Sequence, residues 1–143
     1  MALCRTLGLL KPDITANPVF LRQVLAQIHD HPTLGIVHQK AVQWSAQDAQ
    51  SFYAEHRGKF FYQRLCDYMT SGPFMALILE GPEAIRNWRN LIGPTHPIRA
   101  RLSQPHTLRA QFGLTDTRNS FHGSDSIDTA LREIKFFFPE LQL

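Results

Sequence analysis

One segment near the middle of the chain, residues 74–79, constrains the fold more than any other. It reads Phe-Met-Ala-Leu-Ile-Leu, without a polar residue, and a Ser-Gly-Pro turn comes directly before it. An apolar run of this kind, bounded by turn residues, is typical of a strand in the middle of a sheet. The chain must therefore build a layered fold in which other elements cover this strand.

Three other segments have strand character. Residues 2–10 are mostly apolar, with Arg5 as the only charged residue, and run into a Lys-Pro-Asp turn. Residues 34–44 contain β-branched side chains and few strand breakers. A short strand is expected just before His122. Together with residues 74–79, these segments give four strands.

Helix signals lie between the strands. Ser45 with Asp48 resembles a capping box and opens a helix that we expect to end at Gly58. Asn17 and Pro18 form an N-cap followed by proline at the first helical position. The apolar face of that earlier helix is predicted to consist of Leu21, Val24, Leu25 and Ile28.

Three more helices are predicted further along the chain. One spans residues 60–69. The next begins at Pro82 and ends at Gly93, and its inward side chains are predicted to be Ile85, Trp88 and Leu91. The last begins near Ser124 and stops at Pro139. Its predicted inner face consists of Ile127, Ala130, Leu131, Ile134 and Phe138.

The stretch after Gly93 differs from the rest of the chain. It contains Pro94, Pro97 and Pro105 and shows no clear periodicity, so a long loop is predicted, and such loops usually carry function. The alternation of strands and helices predicts one α+β domain over residues 1–143. The best match is a ferredoxin-like sandwich, in which a four-stranded antiparallel sheet (βαββαβ) carries helices on one face.

Composition excludes several classes of protein. Hydrophobic residues make up 43% of the chain, which predicts a globular core, and no stretch approaches the roughly 18 apolar residues of a membrane span. The first ten residues read as a strand rather than a signal peptide. Cys4 and Cys66 stand far apart, as is typical of thiols in a reducing compartment. We expect an intracellular, cytoplasmic protein without a membrane segment, with a mitochondrial location left open.

The positive charge of the chain is concentrated in one region. The net charge is +3, yet residues 86–118 contain six arginines, no lysine and a single acid, Asp116. Such a segment favours a polyanion, either nucleotide phosphate or nucleic acid, although a solvated loop has the same composition.

Of the seven histidines, His122 alone has a setting that suggests chemistry. Gly123 leaves space beside its imidazole, and the predicted last helix follows, whose first N–H groups favour anions. An unprotonated imidazole nitrogen there is a plausible nucleophile toward phosphorus, while a structural histidine is the alternative reading of the residues alone. His29, His31 and His56 are predicted to be surface residues.

The segment around His122 carries a resemblance to a known family. Residues 119–125 read Asn-Ser-Phe-His-Gly-Ser-Asp, which resembles the active-site signature of nucleoside diphosphate kinases. Residues 11–13, 52–59, 69–73 and 88–95 resemble further blocks of the same family. Residues 60–65 and 113–119 resemble its type 6 branch. The resemblance implies a ferredoxin-like sandwich, in agreement with the order of elements above.

The resemblance also implies a role for each matching residue. His122 would carry the phosphate, Glu133 would orient the imidazole, and Ser124 would support that hydrogen-bond chain. Lys11 would act both in catalysis and in holding phosphate, because positive charge stabilises a phosphoryl group in transfer. The other groups for the phosphates and ribose are Arg89, Thr95, Arg109 and Asn119. Tyr53 and Phe61 would meet the base, and Glu55 would lie near a Mg²⁺ ion that arrives with the nucleotide.

The implied activity is transfer of the γ-phosphate of a nucleoside triphosphate to a nucleoside diphosphate by a ping-pong mechanism through His122. Nucleoside di- and triphosphates are thus the expected partners, with Mg²⁺ as cofactor. No Gly-x-x-x-x-Gly-Lys-Ser/Thr occurs, so a P-loop kinase is excluded. No RNA-recognition motif of the ferredoxin-like class is present either.

Several positions depart from the family pattern. Phe60 stands where the common pattern has Pro, Pro94 where it has an acid, and Asp116 where an apolar residue is usual, while the loop at 95–109 is longer. Family members are commonly hexamers, and these departures leave both a homo-oligomer and its size open. They also leave an alternative open, namely a weakly active, nucleotide-binding kinase-like module that acts through a protein partner.

Overall fold

A computed structural model of the chain describes residues 3–115 and 118–141. Four strands alternate with eight α-helices in this part of the chain. The strands are β1 (Cys4–Leu10), β2 (Gly35–Val42), β3 (Phe74–Gly81) and β4 (Phe121–Gly123). The helices are α1 (Pro12–Thr15), α2 (Pro18–His29), α3 (Ala46–Phe52), α4 (Tyr62–Met69), α5 (Ala84–Ile92), α6 (Pro97–Ser103), α7 (Leu108–Phe112) and α8 (Ile127–Phe137). No helix among the described residues has the length and apolar character needed to cross a membrane.

The four strands form one antiparallel sheet in the order β2-β3-β1-β4. β3 and β1 are the central strands, so the prediction that residues 74–79 form a central strand is confirmed. The short β4 pairs only with β1, where His122 lies opposite Leu9. This topology is that of the predicted ferredoxin-like sandwich.

Helices cover both faces of the sheet, so the prediction of helices on one face is wrong. Alternate residues of β1 point to opposite sides: Leu9 packs in a cluster with α3, α4 and α8, and Leu10 packs in a cluster with α2, α5 and α7. The two central strands therefore need apolar side chains on both faces. This explains why β1 and β3 read as continuous apolar runs rather than alternating ones.

The caps predicted from the sequence are present. The Asn17 side chain accepts hydrogen bonds from the first N–H groups of α2, and Ser45 and Asp48 form a reciprocal capping box at α3. α3 ends earlier than predicted, at Phe52, and a single 3₁₀ turn (Ala54–His56) leads to Gly58, whose φ is +89°.

The stretch after Gly93 is helical, and the prediction of a long loop there is wrong. Pro97 occupies the first turn of α6, where backbone N–H groups make no hydrogen bond within the helix, so a proline is tolerated there. The two helices of this stretch, α6 and α7, have seven and five residues, too few for a periodic pattern. The Arg101 guanidinium joins them by donating hydrogen bonds to the Ala110 and Gly113 carbonyls.

Two helices turn a different face inward from the one predicted. The buried residues of α5 are Ala84, Trp88 and Ile92, while Ile85 is half-exposed. α8 begins after Ser126, which caps it, and its buried residues are Ala130, Glu133, Ile134 and Phe137. Ile127 and Leu131, both predicted to be inward, are 67% and 47% exposed.

Candidate active site

One pocket, about 810 Å³ in volume, brings together segments that lie far apart in the sequence. All four residues predicted to be catalytic line it: Lys11, Ser124, His122 and Glu133. Six of the seven predicted nucleotide-binding residues also line it, and Lys11 belongs to both groups: Lys11, Phe61, Arg89, Thr95, Arg109 and Asn119. Tyr53 does not line it.

The centre of the pocket is a hydrogen-bonded group of three side chains. His122 Nε2 lies 2.8 Å from Glu133 Oε1, and the Ser124 hydroxyl donates to the same oxygen at 2.6 Å. Burial alone would raise the pKa of Glu133, but the hydrogen bond and charge of His122, with the Ser124 hydroxyl, bring that pKa below its ordinary value. Glu133 is therefore a carboxylate at neutral pH.

This contact decides which imidazole nitrogen is available. A carboxylate accepts hydrogen bonds, so His122 Nε2 must carry the proton that Glu133 Oε1 receives. In a neutral imidazole the other nitrogen, Nδ1, then has a free lone pair, and within the described part of the chain it has no hydrogen-bond partner. The geometry thus provides a nucleophilic nitrogen on a ring whose orientation is fixed.

The backbone around His122 is held by a buried indole. Trp88 Nε1 donates to the His122 carbonyl at 2.9 Å, and the Trp88 side chain is fully buried. Gly8 and Gly123 leave room for this ring, because a Cβ at either position would lie 2.9 Å or 2.7 Å from its atoms. Packing of α5 against β1 and β4 therefore sets the position of the imidazole.

Lys11 is a buried basic side chain that lines the same pocket. Its side chain is 4% exposed, and Nζ donates to Asn119 Oδ1 at 3.0 Å. Burial lowers the pKa of Lys11 to about 7, with a further decrease from the Arg109 charge and an opposing increase from Asp13. An anion in the pocket would favour the protonated form.

Two arginines of the pocket, Arg109 and Arg89, were predicted to hold phosphate, and they differ in how they are held. Arg109 is 8% exposed and donates to the Gly93 carbonyl at 2.6 Å and the Phe121 carbonyl at 2.9 Å. Burial, and next the charge of Arg89, lowers the pKa of Arg109 to about 10, so Arg109 stays charged at neutral pH. Arg89 is exposed, and its one hydrogen bond, to the Gly123 carbonyl, is long at 3.4 Å.

Aromatic side chains line the mouth of the pocket in an arrangement that sequence reasoning predicted only in part. Phe61 lies there as predicted, whereas Tyr53 is 7% exposed and packs in the core, where burial raises the pKa of its hydroxyl. The lining residues that were not predicted as site residues include His56, whose ring is 5.3 Å from that of Phe61, and Phe60, which is 80% exposed. The Phe-Phe pair before α4 was the available signal for the second of these.

Acidic residues of the pocket do not form a metal centre of their own. No group of three metal-ligating side chains occurs among the described residues. Glu55 lines the pocket, and Glu133 is engaged by His122 and Ser124. This donor set suits a Mg²⁺ ion held mainly by phosphate oxygens and water, with one carboxylate nearby.

Comparison with known proteins agrees with this geometry. The family model described as "Nucleoside diphosphate kinase" matches residues 4–143. The chain is 53% identical to "Nucleoside diphosphate kinase 6" of Xenopus tropicalis over 94% of this chain and 75% of that protein. It is 51% identical to the Homo sapiens protein of the same name over 97% of this chain and 74% of that one. A crystal structure of the Aquifex aeolicus nucleoside diphosphate kinase is 38% identical, with a TM-score of 0.89 and 96% of each chain covered.

Proposed function

Because the chain belongs to the nucleoside diphosphate kinase family and to its type 6 branch, we propose that it transfers the γ-phosphate of a nucleoside triphosphate to a nucleoside diphosphate through a phosphohistidine at His122. The observation that carries the proposal is the contact of His122 Nε2 with Glu133, which leaves Nδ1 free in a pocket lined by Lys11 and three arginines.

The reaction then has two similar halves. In the first, the lone pair of His122 Nδ1 attacks the γ-phosphorus, the bond to the β-bridging oxygen breaks, and its electron pair leaves with the nucleoside diphosphate. In the second, a terminal oxygen of another nucleoside diphosphate attacks the same phosphorus and the P–N bond breaks. Glu133 accepts the Nε2 hydrogen bond throughout and offsets the positive charge that the ring gains.

The cations of the pocket act by charge and position. Lys11 and Arg109 are held by Asn119 and by backbone carbonyls, so they need little reorganisation when charge develops on the phosphoryl oxygens. Arg89 and Thr95 would hold the outer phosphates, since arginine forms paired hydrogen bonds with phosphate. Mg²⁺ carried by the nucleotide would neutralise phosphate charge, with Glu55 as the acid on that side of the pocket.

Initial-rate kinetics test this function directly. Formation of GTP from ATP and GDP is followed at several fixed GDP concentrations, with the wild-type chain and Mg²⁺. A ping-pong enzyme gives parallel double-reciprocal lines, whereas intersecting lines would show direct transfer and contradict a covalent intermediate. Nucleotide binding without measurable exchange would support the alternative of a binding module that acts through a protein partner. The homo-oligomer, the protein partner and the intracellular location stay predictions.

Arg89→Ala is expected to raise the dissociation constant of a nucleoside diphosphate by roughly one to two orders of magnitude. The loss of a charge-assisted phosphate contact costs roughly 1.5–3 kcal/mol, and Arg89 makes only one long hydrogen bond within the described chain, so the fold should stay intact. Isothermal titration with ADP measures the change. Arg86→Ala is the matched control, because Arg86 lies three residues before Arg89 on the same helix, does not line the pocket and pairs with Glu83. Equal losses in both variants would mean that Arg89 acts only through overall charge.

Arg109→Ala is expected to weaken binding by the same mechanism but also to lower the melting temperature. Arg109 donates to the Gly93 and Phe121 carbonyls, and its removal leaves both acceptors without that partner. Thermal unfolding measured beside ADP titration separates the two effects. An unchanged melting temperature would contradict the structural part of this role.

Bases are expected to be discriminated weakly. Phe61 offers a flat apolar face to any base, and a site without hydrogen bonds to a base edge cannot reject analogues strongly. Affinities for ADP, GDP, UDP and dTDP should lie within about tenfold, or 1.4 kcal/mol, and Phe61→Ala should weaken all four alike. Asp116, the one acid predicted near the base, lies outside the described residues. If UDP and dTDP bound about a hundredfold more weakly than ADP and GDP, and Asp116→Val restored their affinity, the prediction of weak base discrimination would be contradicted.

A further inference from the structure

The residue before β4, Ser120, has an unusual backbone conformation. Its φ is +74°, in the left-handed region that residues other than glycine seldom adopt, and its side chain is fully buried. It lies two residues before His122 and next to Asn119. A conformation of this kind persists only where surrounding contacts hold it.

The shortest contact of the Ser120 side chain is with the carboxylate of Asp13, and the Phe112 carbonyl lies further away, at 3.3 Å. The Ser120 hydroxyl donates to one oxygen of Asp13, and the Tyr68 hydroxyl donates to the other. The Ser120 carbonyl in turn accepts the backbone N–H of Lys11 at 2.9 Å. Asp13 of α1 is thus hydrogen-bonded both to α4 and to the segment that leads into β4. The backbone of Lys11 is hydrogen-bonded to that same segment.

We propose that Asp13 is a positioning residue for phosphoryl transfer: it fixes Ser120 in the left-handed conformation, holds the Lys11 backbone through the Ser120 carbonyl, and favours the charged form of the Lys11 side chain. The inference rests on the proposed function, because Lys11 is taken to hold phosphate. It assigns a role to a carboxylate that does not line the pocket.

The charges around Lys11 explain why a counter-charge is needed. Arg109 of α7 faces Lys11, the Lys11 ammonium lies 5.6 Å from the centre of the Tyr68 ring, and Arg118 stacks on that ring at 5.4 Å. His122 and Glu133 line the same pocket and are paired with each other. Burial and Arg109 lower the pKa of Lys11, and Asp13 is the acid that raises it.

The sign of the expected pH effect follows from these charges. A lysine attracts phosphate only when protonated, so its contribution to affinity is present below its pKa and disappears as the pH rises through it. Removing the negative charge of Asp13 lowers the pKa of Lys11 further. Affinity in an Asp13→Asn variant should therefore be lost at a lower pH than in the wild-type chain.

The test is the dissociation constant of ADP between pH 5.5 and pH 8.5 for the wild-type chain, Asp13→Asn and Tyr68→Phe. The ratio of variant to wild type cancels the ionisation of ADP itself. For Asp13→Asn this ratio should increase with pH, by about tenfold for each unit by which the pKa of Lys11 falls. Tyr68→Phe removes a hydrogen bond to Asp13 but keeps the charge, so its ratio should not depend on pH.

Three results would be decisive. A ratio for Asp13→Asn that is flat across the pH range overturns the electrostatic role of Asp13, while ADP binding that is absent in the wild-type chain at every pH overturns the proposed function instead.

If Asp13→Asn does not fold, Ser120→Ala and Ser120→Gly take its place, since both keep the charge of Asp13 and lose the Ser120 hydroxyl. Ser120→Ala should bind ADP more weakly than Ser120→Gly, because only glycine adopts the left-handed conformation freely. Wild-type affinity in both variants overturns the positioning role.

Discussion

Replacement of His122 by alanine lowers the rate of phosphate exchange between ATP and GDP by roughly 10⁴-fold or more, the scale on which removing a covalent nucleophile acts. No other group in the described part of the pocket pairs an imidazole with a buried carboxylate. The side chain of His122 is 26% exposed, and among the described residues its one hydrogen bond is with Glu133. The fold should therefore survive, which circular dichroism checks.

A second histidine in the same pocket provides the matched control. His56 lines the pocket beside Phe61 and has only a distant acidic neighbour, Glu55 at 3.8 Å. His56→Ala should keep exchange within about tenfold of the wild-type rate, because His56 would touch the base and not the reacting phosphorus. If His56→Ala abolished exchange while His122→Ala retained it, the assignment of the nucleophile would be reversed.

Trp88→Ala is expected to lower the free energy of unfolding by about 3–5 kcal/mol, the range for truncating a large buried aromatic side chain. The indole is fully buried between α5 and the sheet, and it also donates to the His122 carbonyl. The variant should lose exchange activity as well, since β4 carries His122, the proposed nucleophile. Denaturant unfolding, followed by circular dichroism, measures the change.

Ile85→Ala is the control on the same helix. Ile85 was predicted to be inward but is half-exposed, so its truncation should cost clearly less than that of Trp88. If Ile85→Ala lowered the free energy of unfolding as much as Trp88→Ala does, Ile85 would have to point into the core, as the sequence predicted. Trp88→Phe, which keeps an aromatic ring but removes the N–H, should fall between the two variants.

The sequence predicted those parts of the fold in which local chemistry and burial agree. The apolar run of β3 lies in the centre of the sheet, and the cap formed by Asn17 is present. Predictions were wrong where a helix was too short to show an apolar periodicity, as in α6 and α7. They were also wrong where a helix-breaking residue occupies the first turn of a helix, as Pro97 does in α6. Coverage of both sheet faces was missed because it depends on how distant elements pack.

The face of α8 was predicted wrongly for a reason connected with function. Apolar periodicity placed Ile127 and Leu131 inside, but the buried face carries Glu133, whose carboxylate binds His122 and Ser124. A buried carboxylate on an inner helix face contradicts the hydrophobic pattern, and such conflicts are expected at functional sites. The last helix was also predicted to begin near Ser124, whereas Ser126 caps it and the Ser124 hydroxyl donates to Glu133.

The grouping of the site was predictable only through the family motif. Lys11, Arg109 and His122 are more than ten residues apart from one another in the sequence, and each alone has an ordinary structural explanation. Their convergence depends on the pairing of β1 with β4 and on the folding of α7 against the pocket. Tyr53 shows the limit of a motif, because a matching position can pack into the core beside the site.

The most direct test of the account is the chemistry of the labelled protein. The wild-type chain is incubated with ATP labelled at the γ-phosphate, freed of nucleotide, and treated with acid or with base. Label that is lost in acid and kept in base, that passes to added GDP, and that does not appear on His122→Ala would establish phosphohistidine at His122. Label that is stable to acid, or that His122→Ala still takes up, would contradict the central claim.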